Sequence, residues 1–166
     1  GCSDGVIAGI GAVDGLYMQA YAANKTASCH QTMGDLATAE IMYGLAEELL
    51  GRSKAGDAEE LLSVIYNNAG TLHEAIAVPE YRRAQREYRQ TNSLSGRNKT
   101  PDTFDERRSH HLNEALRYGI KFLRLAEKNH GMSSDISCMA HQGLAGLLWT
   151  ARLREKTVYH MGVALK

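Results

Sequence analysis

The sequence predicts an all-α protein, and three observations carry that reading. Apolar residues recur at helical spacing along most of the chain, most clearly at Leu61, Ile65, Ala69, Leu72 and Ile76. Ala, Leu, Glu and Arg are plentiful, while there are only two prolines, Pro79 and Pro101. No run alternates apolar and polar residues in the manner of a strand. A hydrophobic fraction of 43% beside 23% charged residues suffices for a packed core, and the length suits one domain rather than two. The expected organisation is a poorly ordered segment over 1–13, then a single helical domain over 14–166 with about six or seven helices.

Each element has its own justification. The first fifteen residues carry Gly1, Gly5, Gly9, Gly11 and Gly15, and each glycine inside a helix costs about 1 kcal/mol relative to alanine. From Asp14 the pattern improves, with Leu16, Ala20, Ala23 and Ala27 on one side, predicting a helix over 14–32. Met33-Gly34-Asp35 reads as a turn whose aspartate caps the next helix. That helix buries Leu36, Ala39, Tyr43, Ala46 and Leu50 and is expected to stop at Gly51. Asp57 and Glu60 form a capping-box-like start to the Leu61 helix. A break is expected at Val78-Pro79, because proline suits a first helical turn and not a helix interior. Tyr81, Ala84, Tyr88 and Thr91 then line a second helix, so that 61–91 reads as a helical hairpin.

Residues 92–103 hold turn formers and read as the long loop. Thr103 and Glu106 cap a helix expected over 104–129, with Leu112, Ala115, Leu116, Gly119, Ile120, Leu123 and Ala126 along its buried stripe. His130-Gly131 ends it, and Ser133 or Ser134 caps a helix burying Ile136, Ala140, Gly143, Leu144 and Leu147. A last helix buries Leu153, Met161, Ala164 and Leu165.

Composition narrows the function classes. Lys+Arg and Asp+Glu are both 19, so no global field points to nucleic acid or a membrane as partner. No signal peptide is visible, and no apolar run approaches the ~18 residues of a membrane span. Cys2, Cys29 and Cys138 are an odd, scattered set, which reads as free thiols in a reducing, cytoplasmic compartment. A chain beginning Gly-Cys-Ser reads as part of a longer protein.

The reactive residue types do not assemble into a known chemistry. Cys29-His30 are adjacent and diverge by about 100° on a helix, and Cys138-x2-His141 supplies two ligands where structural zinc wants four. They read as buried thiols and surface imidazoles. His110-His111 and His160 have no acid or hydroxyl nucleophile placed by the sequence to use them as a base. Gly9-x-Gly11-x3-Gly15 lacks the preceding strand a dinucleotide fingerprint requires. Arg82, Arg83, Arg86, Arg89, Arg97 and Lys99 form a local basic patch, interrupted by Glu80 and Glu87, that reads as a solvated face. No metal, cofactor or catalytic residue is expected.

A packing rule repeats. Ala39-x3-Tyr43-x2-Ala46, Ala84-x3-Tyr88-x2-Thr91 and Thr157-x3-Met161-x2-Ala164 each place a large residue between smaller ones. Asn68-Ala69-Gly70-x2-His73 and Leu144-Ala145-Gly146-x2-Trp149 each place a small pair three residues before a ring. In these stretches the chain resembles the tetratricopeptide repeat family, over 20–94 and 133–166. GDLATA and PEYRRA are similar to the family's turn and second helix, and LAGLLW to its first helix. The resemblance implies antiparallel helical hairpins stacked as a right-handed solenoid, here irregular because the hairpins are spaced more widely than the family's roughly 34 residues.

It also implies a concave groove that binds a peptide or partner helix, lined by Asn24, Ser28, Asn67, Thr71, Glu74, Gly143, Leu147 and Thr150. The expected function is a protein-interaction scaffold or adaptor within a larger assembly, with self-association left open by the long helix. Two alternatives belong to other classes: a helical-barrel enzyme using Cys/His chemistry, and a helical repeat that binds RNA through the arginine patch.

Overall fold

The computed structural model describes residues 14–95, 110–150 and 154–164, and six helices occur among them. They are α1 (Gly15–Met33), α2 (Leu36–Arg52), α3 (Ala58–Ser95), α4 (His110–His130), α5 (Asp135–Thr150) and α6 (Arg154–Ala164). No strand occurs among the described residues. The chain separates into two compact units, Gly1–Ile65 and Tyr66–Lys166, with the boundary inside α3.

In the first unit α1 and α2 form an antiparallel hairpin whose ends are chemically fixed. Asp14 caps α1, its Oδ1 accepting from the Leu16 amide at 3.0 Å. Gly34 closes the helix at φ +82°, where its amide reaches the Gln31 and His30 carbonyls. Asp35 then caps α2, accepting from the Thr38 amide at 3.2 Å. The far end of the hairpin returns to its start, where Asp14 Oδ2 accepts from Ser53 Oγ at 2.5 Å and from the Lys54 amide at 2.8 Å. These donors, Ser53 foremost, hold the Asp14 carboxyl below the ordinary 3.8. The expected stop at Gly51 is corrected: α2 continues to Arg52, and Ser53 caps it through the Leu49 and Leu50 carbonyls.

The hairpin closes on small residues. Ala20, Ala27, Ala39 and Ala46 are each 0% exposed, and side chains this short let two helix backbones approach closely. Tyr43, between Ala39 and Ala46, fills the space they leave. Its hydroxyl donates to Gln31 Oε1 at 2.8 Å and lies 3.2 Å from Ser28 Oγ. Burial pushes the phenol up from its ordinary 10.0.

The expected hairpin at 61–91 is a single helix. α3 runs from Ala58 to Ser95 with Pro79 inside it, and residues 92–95 belong to it rather than to a loop. Proline removes one helical hydrogen bond and crowds the carbonyl four residues back, a cost of about 3 kcal/mol. Burial of the flanking apolar face opposes that cost. Leu72 and Ala77 are both fully buried, and Ala77 belongs to the core of the second unit. The side chains of Ala84, Tyr88 and Thr91 lie outside the described ones.

In the second unit α3, α4, α5 and α6 are successive antiparallel neighbours. Gly70 sets the α3–α4 approach, since a Cβ there would stand 3.6 Å from Tyr118 Cβ and 3.9 Å from the Gly119 nitrogen. Gly119 does the same toward α5, facing the Leu144 and Leu147 methyls at 3.5 Å. Between them lies a core of Ala77, Leu112, Leu116, Leu123, Leu144 and Leu148, with Phe122 packed on it. Gly131, at φ +81°, turns the chain between α4 and α5, and Ser134 Oγ accepts from the Ser137 amide as the cap.

Four positions expected on buried faces are exposed: Ile120 and Ile136 at 39%, Met161 at 52%, and Gly143. The Thr103–Glu106 cap and the helix over 104–109 lie outside the described residues, as do Leu153 and Leu165. Among the described residues no helix is long and apolar enough to cross a membrane.

Two outcomes follow for the first unit. Tyr43→Phe, losing one hydrogen bond, lowers stability by about 1 kcal/mol, whereas Tyr43→Ala, opening a cavity, costs about 3–5 kcal/mol. Urea unfolding with amide exchange read in α1 and α2 measures both. Asp14 has a lowered folded-state pKa, so its contribution is complete above 3.8 and is lost as pH falls through the folded value. Amide protection at Leu16 and Lys54 should fade over that range, and Asp14→Ala should remove it at neutral pH.

Candidate functional site

An open cleft in the second unit, with a volume of about 130 Å³, is walled by α3 and α5 with α4 at its floor. Asn67, Thr71 and Glu74 line the α3 wall; Met139, Gly143 and Leu147 line the α5 wall. These α3 residues are spaced at four and three, so one helix face delivers all three. Ala115, Gly119 and Phe122 provide the floor. The cleft therefore offers an apolar base with a polar rim on one side.

The structure thus brings together Asn67, Thr71, Glu74, Gly143 and Leu147 from the residues named by sequence. Not all of them offer free chemistry. Thr71 Oγ1 donates to the Asn67 carbonyl at 2.7 Å, and Thr150 Oγ1 to the Gly146 carbonyl at 3.0 Å, so both hydroxyl protons are spent inside their own helices. Thr150 does not line the cleft. Asn24 and Ser28 belong to the first unit. Asn24 is only 3% exposed, and Ser28 Oγ is engaged by the Asn24 carbonyl and the Tyr43 hydroxyl.

Along α5 the cleft wall continues into an unusual exposed face. Ile136, Met139, Gly143, Gly146 and Thr150 alternate at three and four residues, the spacing of a helix-pairing seam. Met139 is 68% exposed, and Trp149, beside the seam, is 64% exposed. Among the described residues, nothing stands within 4 Å of a Cβ built at Gly143 or Gly146. Packing among the described residues explains neither glycine, although each weakens the helix by about 1 kcal/mol relative to alanine.

Two histidine clusters, invisible in the sequence, lie in the same unit. In the first, His73 Nδ1 is 3.0 Å from His111 Nδ1, so one ring donates and the other accepts. His73 stacks on Tyr118 at 5.6 Å and 14°, while Arg117, paired with Glu114 at 2.5 Å, lies 4.3 Å over the other ring. In the second, His141 Nε2 meets Glu127 Oε1 at 3.0 Å and His141 Nδ1 meets His160 Nδ1 at 2.8 Å. His141 is 1% exposed. Burial foremost, then His141, pushes the His160 pKa below the ordinary 6.5, with Glu127 opposing.

These contacts correct two expectations. His141 is buried rather than a surface imidazole, and Cys29 is exposed rather than buried, with Cys138 half-buried. An acid is also placed against a histidine, although none was legible from spacing. The available signal was the α4–α5 hairpin itself, which brings the end of α4, with Glu127, alongside α5, with His141. Arg82, Arg83 and Arg86 are exposed on α3; Arg97 and Lys99 lie outside the described residues.

Comparison of the chain with protein-family models, curated proteins and solved structures finds no match. Inference about the site therefore starts from its residues.

Glycine substitution distinguishes the packed from the open positions. Gly143→Ala and Gly146→Ala should each stabilise the fold by up to about 1 kcal/mol. Gly70→Ile, forced against Tyr118, should cost about 1–3 kcal/mol. Urea midpoints of the three variants beside wild type measure the difference.

Proposed function

We propose that this chain is a protein-interaction module, cytoplasmic and without catalysis or cofactor, whose second unit binds a peptide or partner helix along the α3–α5 cleft. The observation that carries the reading is the exposed glycine pair of α5. Gly143 and Gly146 stand in mid-helix with open space where a side chain would be, next to a Met139 that is 68% exposed. An isolated domain gains nothing from that arrangement, whereas a docked helix or strand gains close approach to the α5 backbone. Asn67 on the opposite wall can meet a peptide group with both its carbonyl and its amide, and Glu74 can accept from an amide or amine. Alternate helices supplying the walls, with α4 between them, also suits the stacked-hairpin arrangement of tetratricopeptide proteins.

The test uses peptides selected from a random display library on the full chain. Selected peptides should bind the Asn67→Ala/Glu74→Ala variant about tenfold or more weakly. Gly143→Ala/Gly146→Ala should give a more stable fold and weaker binding together, a combination that a purely structural role for the glycines does not produce. Peptides that bind both variants as tightly as wild type would place recognition elsewhere, and a library yielding no binder above background would remove the reading.

A further inference from the structure

The second histidine cluster joins three helices through one line of hydrogen bonds: Glu127 near the end of α4, His141 in α5 and His160 in α6. Proton counting defines its states. In the neutral chain His141 donates Nε2–H to Glu127, leaving its Nδ1 lone pair to accept from His160 Nδ1–H. One added proton is tolerated, because His141 can carry both N–H groups against the Glu127 carboxylate while His160 moves its own proton to Nε2 and accepts through Nδ1. A second added proton is not tolerated. Both rings are then imidazolium, and two N–H groups point at each other across a gap of 2.8 Å.

Solvent reaches that pair only from the half-buried His160 side, since His141 is 1% exposed, so screening of the repulsion is incomplete. The groups around the pair are Glu127 from α4, Tyr159 in edge contact with His160 on α6, and Cys138 one turn before His141 on α5. Among the described residues, Glu127 is the carboxylate bonded to the pair. It neutralises one imidazolium and leaves the other uncompensated.

We propose that the Glu127–His141–His160 chain is a pH-sensitive latch that holds α6 against α5 near neutral pH and releases it on acidification. α6 is the element that yields, because it spans only 11 residues whereas α5 shares the core built with α3 and α4. Release uncovers the face of α5 that carries His141, whose Nδ1 meets His160 Nδ1 while α6 is docked. The linkage sign agrees. His160 has a lowered folded-state pKa, so the folded state binds fewer protons than the unfolded one; stability is complete above 6.5 and is lost as pH falls through the folded value.

Amide exchange of the full chain at about pH 7.5 and about pH 5, corrected for intrinsic rates, tests the latch. Protection in α6 should fall about tenfold or more relative to α1 and α2 in wild type. His160→Gln, whose amide still meets His141 but does not titrate, should hold α6 protection within about twofold across the same range. Glu127→Gln, removing the compensating carboxylate, should enlarge the loss. Unchanged α6 protection in wild type, or an equal loss in His160→Gln, would overturn the proposal. Should His160→Gln fail to dock α6 at neutral pH, the histidine NMR titration of wild type decides. The latch requires the His160 ring to titrate below 6.5 in step with the His141 ring shifts; independent titration of the two rings would overturn it.

Discussion

Close approach of helix backbones is the constraint on which the rest of this structure depends. Alanine supplies it between α1 and α2, where Ala20, Ala27, Ala39 and Ala46 are fully buried. Glycine supplies it between α3 and α4 and between α4 and α5, at Gly70 and Gly119. Helix pairs ordinarily pack at about 8–10 Å between axes, and small residues place a pair at the near end of that range. Only then do rings projecting from neighbouring helices come within hydrogen-bonding reach, as His73 and His111 do, and His141 and His160. A larger residue at Gly70 would separate the backbones that the His73–His111 contact requires to be near.

The buried polar groups follow from the same spacing. His141 has both ring nitrogens engaged although almost none of it reaches solvent, and Ser137, 0% exposed, donates to the Gly131 carbonyl at 2.7 Å. Such groups add little net stability over apolar residues of similar volume, but leaving any of them unpaired costs about 1–3 kcal/mol. They therefore penalise alternative registers between the helices that carry them. In α4–α6 the contacts that select a register include His160, whose pKa burial lowers, and the proposed latch couples helix docking to pH there.

The α3–α5 cleft shows how far residue-level reasoning reached. Asn67, Thr71 and Glu74 lie on one face because their spacing is helical, and that much was readable. Their meeting with Gly143 and Leu147 depended on which helices adjoin, and the repeat resemblance supplied that arrangement rather than spacing. Sequence could not show that the Thr71 and Thr150 hydroxyls turn inward to their own backbones, or that Asn24 is buried. Those outcomes depend on rotamers and neighbours, which no pattern in one chain encodes.

Sequence alone determined that the described chain is helical and where several of its helices begin or end. Apolar periodicity, Asp35 as a cap and the turns at Gly34 and Gly131 are local signals, each acting within about one turn. Tertiary structure decided what local signals could not. It carried α3 through Pro79, because packing of residues such as Ala77 in a core outweighs one lost hydrogen bond. It left Ile120, Ile136 and Met161 exposed, because a helical stripe says which residues share a face and not which face finds a neighbour. It also aligned Glu127, His141 and His160 from three separate helices. Their contacts are set by helix spacing and axial register, quantities fixed only when the whole unit packs.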